Sequence, residues 1–486
     1  MHRVGDPDAS VAATSASCDV VLHRGDEHSA GVPELDMEIE DDTGIASSTA
    51  NPRVSRGPFL GNVGAHGVTF WLQGSAAADW AVRVWPQGSP ADVRRVVAPA
   101  AVAATQFVSV VDVDGLRPAT QYAYVVEIGL PGTPLQTATE VESFHTLAAL
   151  GTPGTLRIVV GADIAGRYDQ PIFDQMADTQ PDLALFLGDQ VYADGTAVDF
   201  DGYSRAYASN WAIPNLARFL KHVPTFMIWD DHEIVDDYVR GASERYTPAR
   251  QAYELYVNAR NPARPQRGRL YYRFDAGDVS GFVLDVRTER DPESEADGPT
   301  KSMLGAEQKR ELLDWLACSH ARLKLIASPV TFSDSGTTGE DGWAGYMHER
   351  EEIFTFIATH AIEGVLLLSG DQHWSAVFRH DRPGYRLFEF MPTPISKTLR
   401  VAPTDPSESI VARDDDHYVF GVVDVDSTGL PLHVDLTLCA ADKPCSPGRE
   451  PEPTTGLDID GTQDNVPFTI HLTSDDFGPR ASSSRD

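Results

Sequence analysis

Five short apolar runs in this chain each stop abruptly at an acidic residue. They are Arg157 to Ala162 before Asp163, Leu183 to Gly188 before Asp189, Thr225 to Trp229 before Asp230-Asp231-His232, Gly281 to Leu284 before Asp285, and Val365 to Gly370 before Asp371-Gln372-His373. All are too short for ordinary helices, and several are dense in Val, Ile and Phe, which predicts buried strands. After Leu156 these runs alternate with amphipathic stretches at Ile172 to Met176, Leu216 to His222, Ala306 to Ser319 and Arg350 to His360. That alternation predicts a layered α/β domain over residues 155–440. In open α/β sheets, ligands bind beyond the carboxyl ends of the strands. Carboxylates and imidazoles are therefore expected to gather at one edge, where oxygen-rich groups hold hard or borderline metal ions.

Upstream the pattern is different. Val68 to Leu72, Ala81 to Trp85, Phe107 to Val111 and Gln121 to Glu127 alternate apolar and polar positions, punctuated by Gly and Pro, with no helical stretch between them. Gly115 to Thr120 leads into the Tyr122 segment as in fibronectin-type sandwiches, so residues 53–148 are predicted to be a small β-sandwich of fibronectin or immunoglobulin type. Leu150 to Gly154 reads as a linker. Residues 1–52 are acidic, rich in Ala, Ser and Asp, and without period, which predicts a mobile tail. Phe420 to Val425 and Leu432 to Thr437 read as further strands, and residues 441–486 as a loosely structured extension.

Composition narrows the chemistry. With 486 residues and 42% hydrophobic content, a full core and more than one domain are within reach. The 72 acidic residues exceed the 39 basic ones, for a net charge of -33. Nucleic acid is disfavoured as a partner because phosphate backbones need a cationic face. Small phosphate substrates stay open, since bound metal ions reverse the local sign. There is no run of eighteen apolar residues, so no membrane span is expected. No export signal is visible, which leaves a cytoplasmic location and export followed by processing both open. Cys318 lies in a helical stretch and is expected to be a buried thiol; Cys439 and Cys445 fit either a local disulfide or two thiols.

Three motifs carry the candidate chemistry. In Gly188-Asp189-Gln190-Val191-Tyr192 the glycine lets the backbone turn sharply and leaves Asp189 at the sheet edge, although a plain turn is the alternative reading. Trp229-Asp230-Asp231-His232-Glu233 puts three acids and an imidazole directly after an apolar strand. Gly370-Asp371-Gln372-His373 spaces an acid and an imidazole by two, which on extended backbone would point both the same way.

In this order, with Leu284-Asp285-Val286-Arg287 between them, these motifs resemble the PhoD-like alkaline phosphatase family of the calcineurin-like metallophosphoesterases. Gly57 to Gly61, Leu304-Gly305 with Gln308, Ala327 to Val330 and Glu389-Phe390 sit where that family places similar motifs, so the likeness runs from about residue 56 to about residue 425. It implies a four-layer α/β/β/α fold preceded by the β-sandwich, a dinuclear metal centre and hydrolysis of small phosphate esters. Carried over residue by residue, Asp163 and Asp189 would hold one metal, with Asp189 bridging and Tyr192 adding a phenolate. Asp231, Asp371 and His373 would complete the pair of sites. His232 would act on the leaving group, its ring oriented by Asp230 or Glu233. Arg167 and Arg287 would either grip phosphate oxygens or simply pair with acids.

The chain departs from the family's best-known members at Ala162-Asp163-Ile164, where those have a Cys. A thiolate with a phenolate favours ferric iron, whereas an added carboxylate also suits manganese, calcium or zinc. The mechanism implied is that two cations acidify a shared water whose hydroxide attacks phosphorus in line. Phosphomonoesters and phosphodiesters would use the same centre. A rival reading is a calcium-binding adhesion module that retains the fold without turnover.

Overall fold

A computed structural model describes residues 51–166, 170–264, 268–334, 341–403, 409–445 and 466–479. All but the last two residues of the expected tail fall outside them. All five apolar runs form strands, and two sheets carry them. The six-stranded sheet runs Thr225–Ile228, Leu183–Leu187, Thr155–Gly161, Val419–Asp426, His433–Ala440, Phe468–Thr473. Its first three strands are parallel, so Asp163, Asp189 and Asp230 leave it at the same end. In the second sheet Val279–Val283, Leu323–Val330, Val365–Gly370 and Tyr385–Met391 are parallel neighbours, with Tyr272–Ala276 at one edge and Ser375–Arg382 and Ser409–Asp414 at the other.

Alternation along Val365–Gly370 shows how the layers meet. Leu366 and Leu368 join a core shared with Val159, Leu185 and Phe186 of the six-stranded sheet, whereas Val365 and Leu367 join a second core with Leu312, Ile353 and Phe354. Those last three residues belong to helices Gly305–Cys318 and Met347–Thr359. Successive strand residues point to opposite faces, so one face of this sheet meets the other sheet and the opposite face meets helices.

The alternating segments before residue 148 form two antiparallel sheets. Val54–Gly61, Gly67–Gly74 and Val108–Asp114 make one; Asp79–Pro86, Arg94–Val97, Gln121–Gly129, Gln136–Thr137 and Glu142–His145 make the other. Leu60, Phe70 and Leu72 of the first meet Trp80, Val82 and Tyr124 of the second in a common core. On their other face, Phe59 and Trp71 belong to the core of the α/β region. There Trp71 stacks edge-on to Trp211 at 5.2 Å and Phe59 lies parallel to Trp71 at 5.5 Å.

Trp211 ends helix Phe200–Asn210, which begins at Asp199, whose carboxylate accepts the Gly202 N–H at 2.8 Å. Tyr203, Tyr207 and Trp211 are buried. The extension expected to be loose contributes an ordered edge strand, Phe468–Thr473, because Ile470 and Leu472 alternate into the core beside Leu436 and Leu438. Cys439 and Cys445 are bridged, which selects one of the two readings. Cys318 is half-buried rather than buried.

Glu389 ties this framework together. Fully buried, it accepts the Thr331 hydroxyl and the Phe332 N–H, both at 2.9 Å, and the Ser369 hydroxyl, and it meets His380 Nε2 at 2.8 Å. Removing one partner of a buried charged network strands the rest. Glu389→Ala is expected to destabilise the protein by roughly 3 kcal/mol or more, read as a lowered urea midpoint with an unchanged slope.

Candidate metal centre

The backbone at the strand ends is bent into a conformation that L-residues avoid. Asp163, Asp189, Asp371 and His373 have φ of 62°, 52°, 76° and 59°. Such residues persist only where surrounding structure imposes them, and they concentrate at functional sites. Gly188, at φ 96°, makes the turn possible: a Cβ there would lie 2.6 Å from the Cβ of Asp230. Glu233, fully buried, holds two of these loops together by accepting the N–H groups of Asp189 at 3.1 Å, Gln190 at 2.6 Å and Asp230 at 2.9 Å.

Of five groups among the described residues whose candidate ligand atoms lie within 4.8 Å of one another, three overlap at the strand ends: Asp163, Asp189 and His373; Asp189, Asp231 and His232; Asp230, Asp231 and Asp371. Asp189 belongs to the first two and Asp231 to the last two. The phenol of Tyr192 completes the first group, 3.2 Å from His373 Nε2. Asp371 and His373 part company here. Positive φ at both positions replaces the extended backbone predicted for them, so they enter different groups instead of pointing the same way.

The electrostatics favour a positive partner for these carboxylates, a proton or a metal ion. Burial, then the neighbouring carboxylates, push Asp163 and Asp189 well above the ordinary carboxyl range, and burial with Asp341 and Asp230 does the same to Asp371. The Oδ2 atoms of Asp163, Asp189 and Asp230 are buried without a hydrogen-bond partner. A buried, unsatisfied carboxylate oxygen is costly unless a cation takes it up. His373 is held neutral: burial first, then Arg400, Lys397 and His232, lower it to about 3, which suits an imidazole ligand. These residues therefore fit metal ions.

Other expectations change. His232 is not oriented by Asp230 or Glu233. Glu233 is committed to backbone amides, and Asp230 binds Arg287 Nε at 2.5 Å. Asp194 takes that position instead, its Oδ2 lying 3.1 Å from His232 Nδ1, in ion-pair range though off the line of an ideal hydrogen bond. Burial opposes protonation of His232, but Asp194 and Asp231 outweigh it and lift the ring to about 9. Arg287 does not reach toward a ligand. It is fully buried and bidentate to Asp341 at 2.7 and 2.9 Å, with Asp230 on Nε, so the acid-pairing alternative holds. Asp285 ends its strand outside the cluster, accepting Trp229 Nε1 and the N–H groups of Arg287 and Thr288. Arg167 lies outside the described residues.

A family model described as PhoD-like phosphatase matches residues 158–428, more than half of the chain. The chain belongs to the PhoD-like phosphatase family. Residues 51–139 match a model described as a domain of unknown function, DUF7800. Alkaline phosphatase D of Bacillus subtilis (strain 168) is 26% identical over 315 residues, covering 54% of this chain and 53% of that protein. The chain thus spans about half the length of this curated relative. A solved structure of PhoD superposes with a TM-score of 0.65 at 20% identity, over 80% of this chain and 91% of that one. A purple acid phosphatase from yellow lupin (Lupinus luteus) seeds gives a TM-score of 0.60 at 14% identity, over 82% of this chain and 73% of that one. The metallophosphoesterase-like α/β fold is common to these neighbours and to this PhoD-like phosphatase.

Sequence reasoning overlooked Asp194, Asp341, Lys397 and Arg400 in this PhoD-like site. Asp194 stands two residues after Tyr192, but nothing in a loop sequence tells which way its side chain turns. Lys397 lies with its Nζ 3.3 Å from the Tyr192 ring centroid. In so acidic a chain, two cations within four residues were the available signal.

Two outcomes are expected. Asp189→Ala, which removes the carboxylate shared by two groups, is expected to abolish metal uptake and turnover together, checked by elemental analysis and ester hydrolysis. Because folded-state pKa values of Asp163, Asp189 and Asp371 are raised, the metal-free fold loses stability as pH rises above the unfolded value of about 4. Protons compete with metal for the same oxygens. Added divalent cation is therefore expected to raise the denaturation midpoint more at pH 8 than at pH 5.

Proposed function

We propose that this PhoD-like phosphatase hydrolyses small phosphate esters with two metal ions held by Asp163, Asp189, Tyr192, Asp231, Asp371 and His373, Asp189 being common to both. The observation that carries this reading is the overlap of the buried carboxylate groups at Asp189 and Asp231. Such ions, iron, calcium, manganese or zinc, would supply Lewis acidity at these residues, acidifying a water to serve as the hydroxide nucleophile and offsetting charge on phosphate oxygens.

The chain's own residues do the rest. Glu233 and the bent strand ends keep the carboxylates in place before substrate arrives, so no reorganisation is needed at the moment of reaction. Asp194 holds the Nδ1 side of His232, leaving Nε2 between Asp236 Oδ1 at 3.5 Å and Asp189 Oδ2 at 3.9 Å. His232 is then placed to protonate the departing alkoxide. Arg287 serves as an internal counter-charge that fixes Asp230.

We read the packing as the four-layer α/β/β/α arrangement, over residues 155–440, preceded by a fibronectin-type sandwich over 53–148. The adhesion-module reading gains nothing from His232 and His373, which stand among the acids where a purely calcium-binding surface has no use for imidazoles.

Hydrolysis of 4-nitrophenyl phosphate and of its bis ester, before and after chelation, tests the proposal: activity lost on chelation and restored by metal is expected, and metal-loaded protein inert toward both would overturn it. His232→Ala is expected to keep its metal and lose rate by roughly 10²-fold or more, with the largest loss on esters of poor leaving groups.

A further inference from the structure

Locked between Asp230 and Asp341, Arg287 is not the side chain that meets the outer oxygens of a phosphate. One turn offers two other cations. Residues 394–400 run across the strand ends and are pinned there: Ile395 N–H donates to the carbonyl of Ala162 at 2.9 Å, Ser396 and Lys397 N–H donate to that of Asp163 at 3.1 and 3.2 Å, and Arg400 N–H donates to that of His373 at 2.9 Å. The turn is thus fastened to two of the candidate metal ligands. Lys397 is half-buried over Tyr192. Arg400 is exposed and makes no ion pair among the described residues. In a chain where acids outnumber bases by 72 to 39, an unpaired arginine beside a carboxylate cluster is unexpected.

We propose that Arg400, with Lys397 beside it, forms a cationic rim that receives the outer oxygens of the bound phosphate and favours a doubly charged monoester over a singly charged diester. This rests on the phosphatase reading and names its substrate class. A guanidinium presents paired donors that match two phosphate oxygens. At pH 8 a monoester carries two negative charges, whereas a diester carries one and has replaced an outer oxygen by an ester link. Loss of Arg400 therefore acts unequally on the two classes.

The experiment compares kcat/KM for 4-nitrophenyl phosphate and bis(4-nitrophenyl) phosphate in metal-loaded wild type, Arg400→Gln, Arg400→Lys and Lys397→Gln. The monoester-to-diester ratio is the readout, so a loss common to both esters cancels. Arg400→Gln is expected to lower that ratio about fivefold, the scale of a partly exposed charge pair, through KM for the monoester. Arg400→Lys is expected to restore part of it, and Lys397→Gln to move the ratio in the same direction as Arg400→Gln. Calorimetric binding of inorganic phosphate to the same proteins supplies a measure independent of turnover, with a weakening of similar size expected in Arg400→Gln.

An unchanged ratio with unchanged phosphate affinity would overturn the rim. So would equal losses on both esters, which would mean that Arg400 supports the fold or the metal ligands and does not read substrate charge. If wild type hydrolyses neither ester, the phosphatase reading fails on its own, and phosphate affinity still decides for or against the rim.

Discussion

Aspartates crowded inside a protein repel one another, and the architecture around residues 163, 189, 230, 231 and 371 is organised to make that crowding possible. Each sits at a strand end, where a parallel sheet delivers neighbouring side chains to the same edge. The repulsion is relieved on one side by Arg287, fully buried against Asp230 and Asp341. On the other side no lysine or arginine pairs with Asp163 or Asp189 among the described residues, His232 stands 3.9 Å from Asp189 Oδ2, and the Oδ2 atoms of both aspartates lack a hydrogen-bond partner. The protein thus neutralises part of the cluster internally and leaves the rest fit for a ligand of opposite sign.

Much of this was legible in the chain because it follows from periodicity. Short apolar runs ending in acids specify strands and their exit points, and five of them formed strands. The cluster was legible for the same reason: Asp163, Asp189, Asp231 and His373 each stand at or just beyond a strand end. What the sequence concealed is direction. Asp371 and His373 are separated by one residue, yet left-handed backbone at both sends them to different groups. Arg287 and Glu233 carry charges that suggested contact with a ligand or with His232, but both turn inward to hold neighbouring segments. The edge strand Phe468–Thr473 was hidden by the acidic, Pro-rich residues before it, although its own alternation of Ile470 and Leu472 is that of a half-buried strand.

The basic residues are distributed by burial more than by number. Arg287 and Arg290 are fully enclosed against acids, and Arg260 is enclosed without one, its guanidinium 4.6 Å from the centroid of Trp211. Burial lowers Arg260 to about 9, and aromatic faces compensate part of that desolvation. A chain so acidic overall therefore invests several of its cations in internal contacts. The net charge alone says little about the potential that an approaching anion meets at the strand ends.

Helix Phe200–Asn210 has neighbours on two sides. Trp211 at its end is packed against Phe59 and Trp71 of the amino-terminal sheets, while Asn210 donates to the carbonyl of Gln190 and Tyr203 to that of Ile234. Those carbonyls flank Asp189 and His232. The amino-terminal sheets thus brace the two loops from behind through this helix, so that a disturbance on a surface far from the strand ends has a mechanical route to the loops that carry Asp189 and His232.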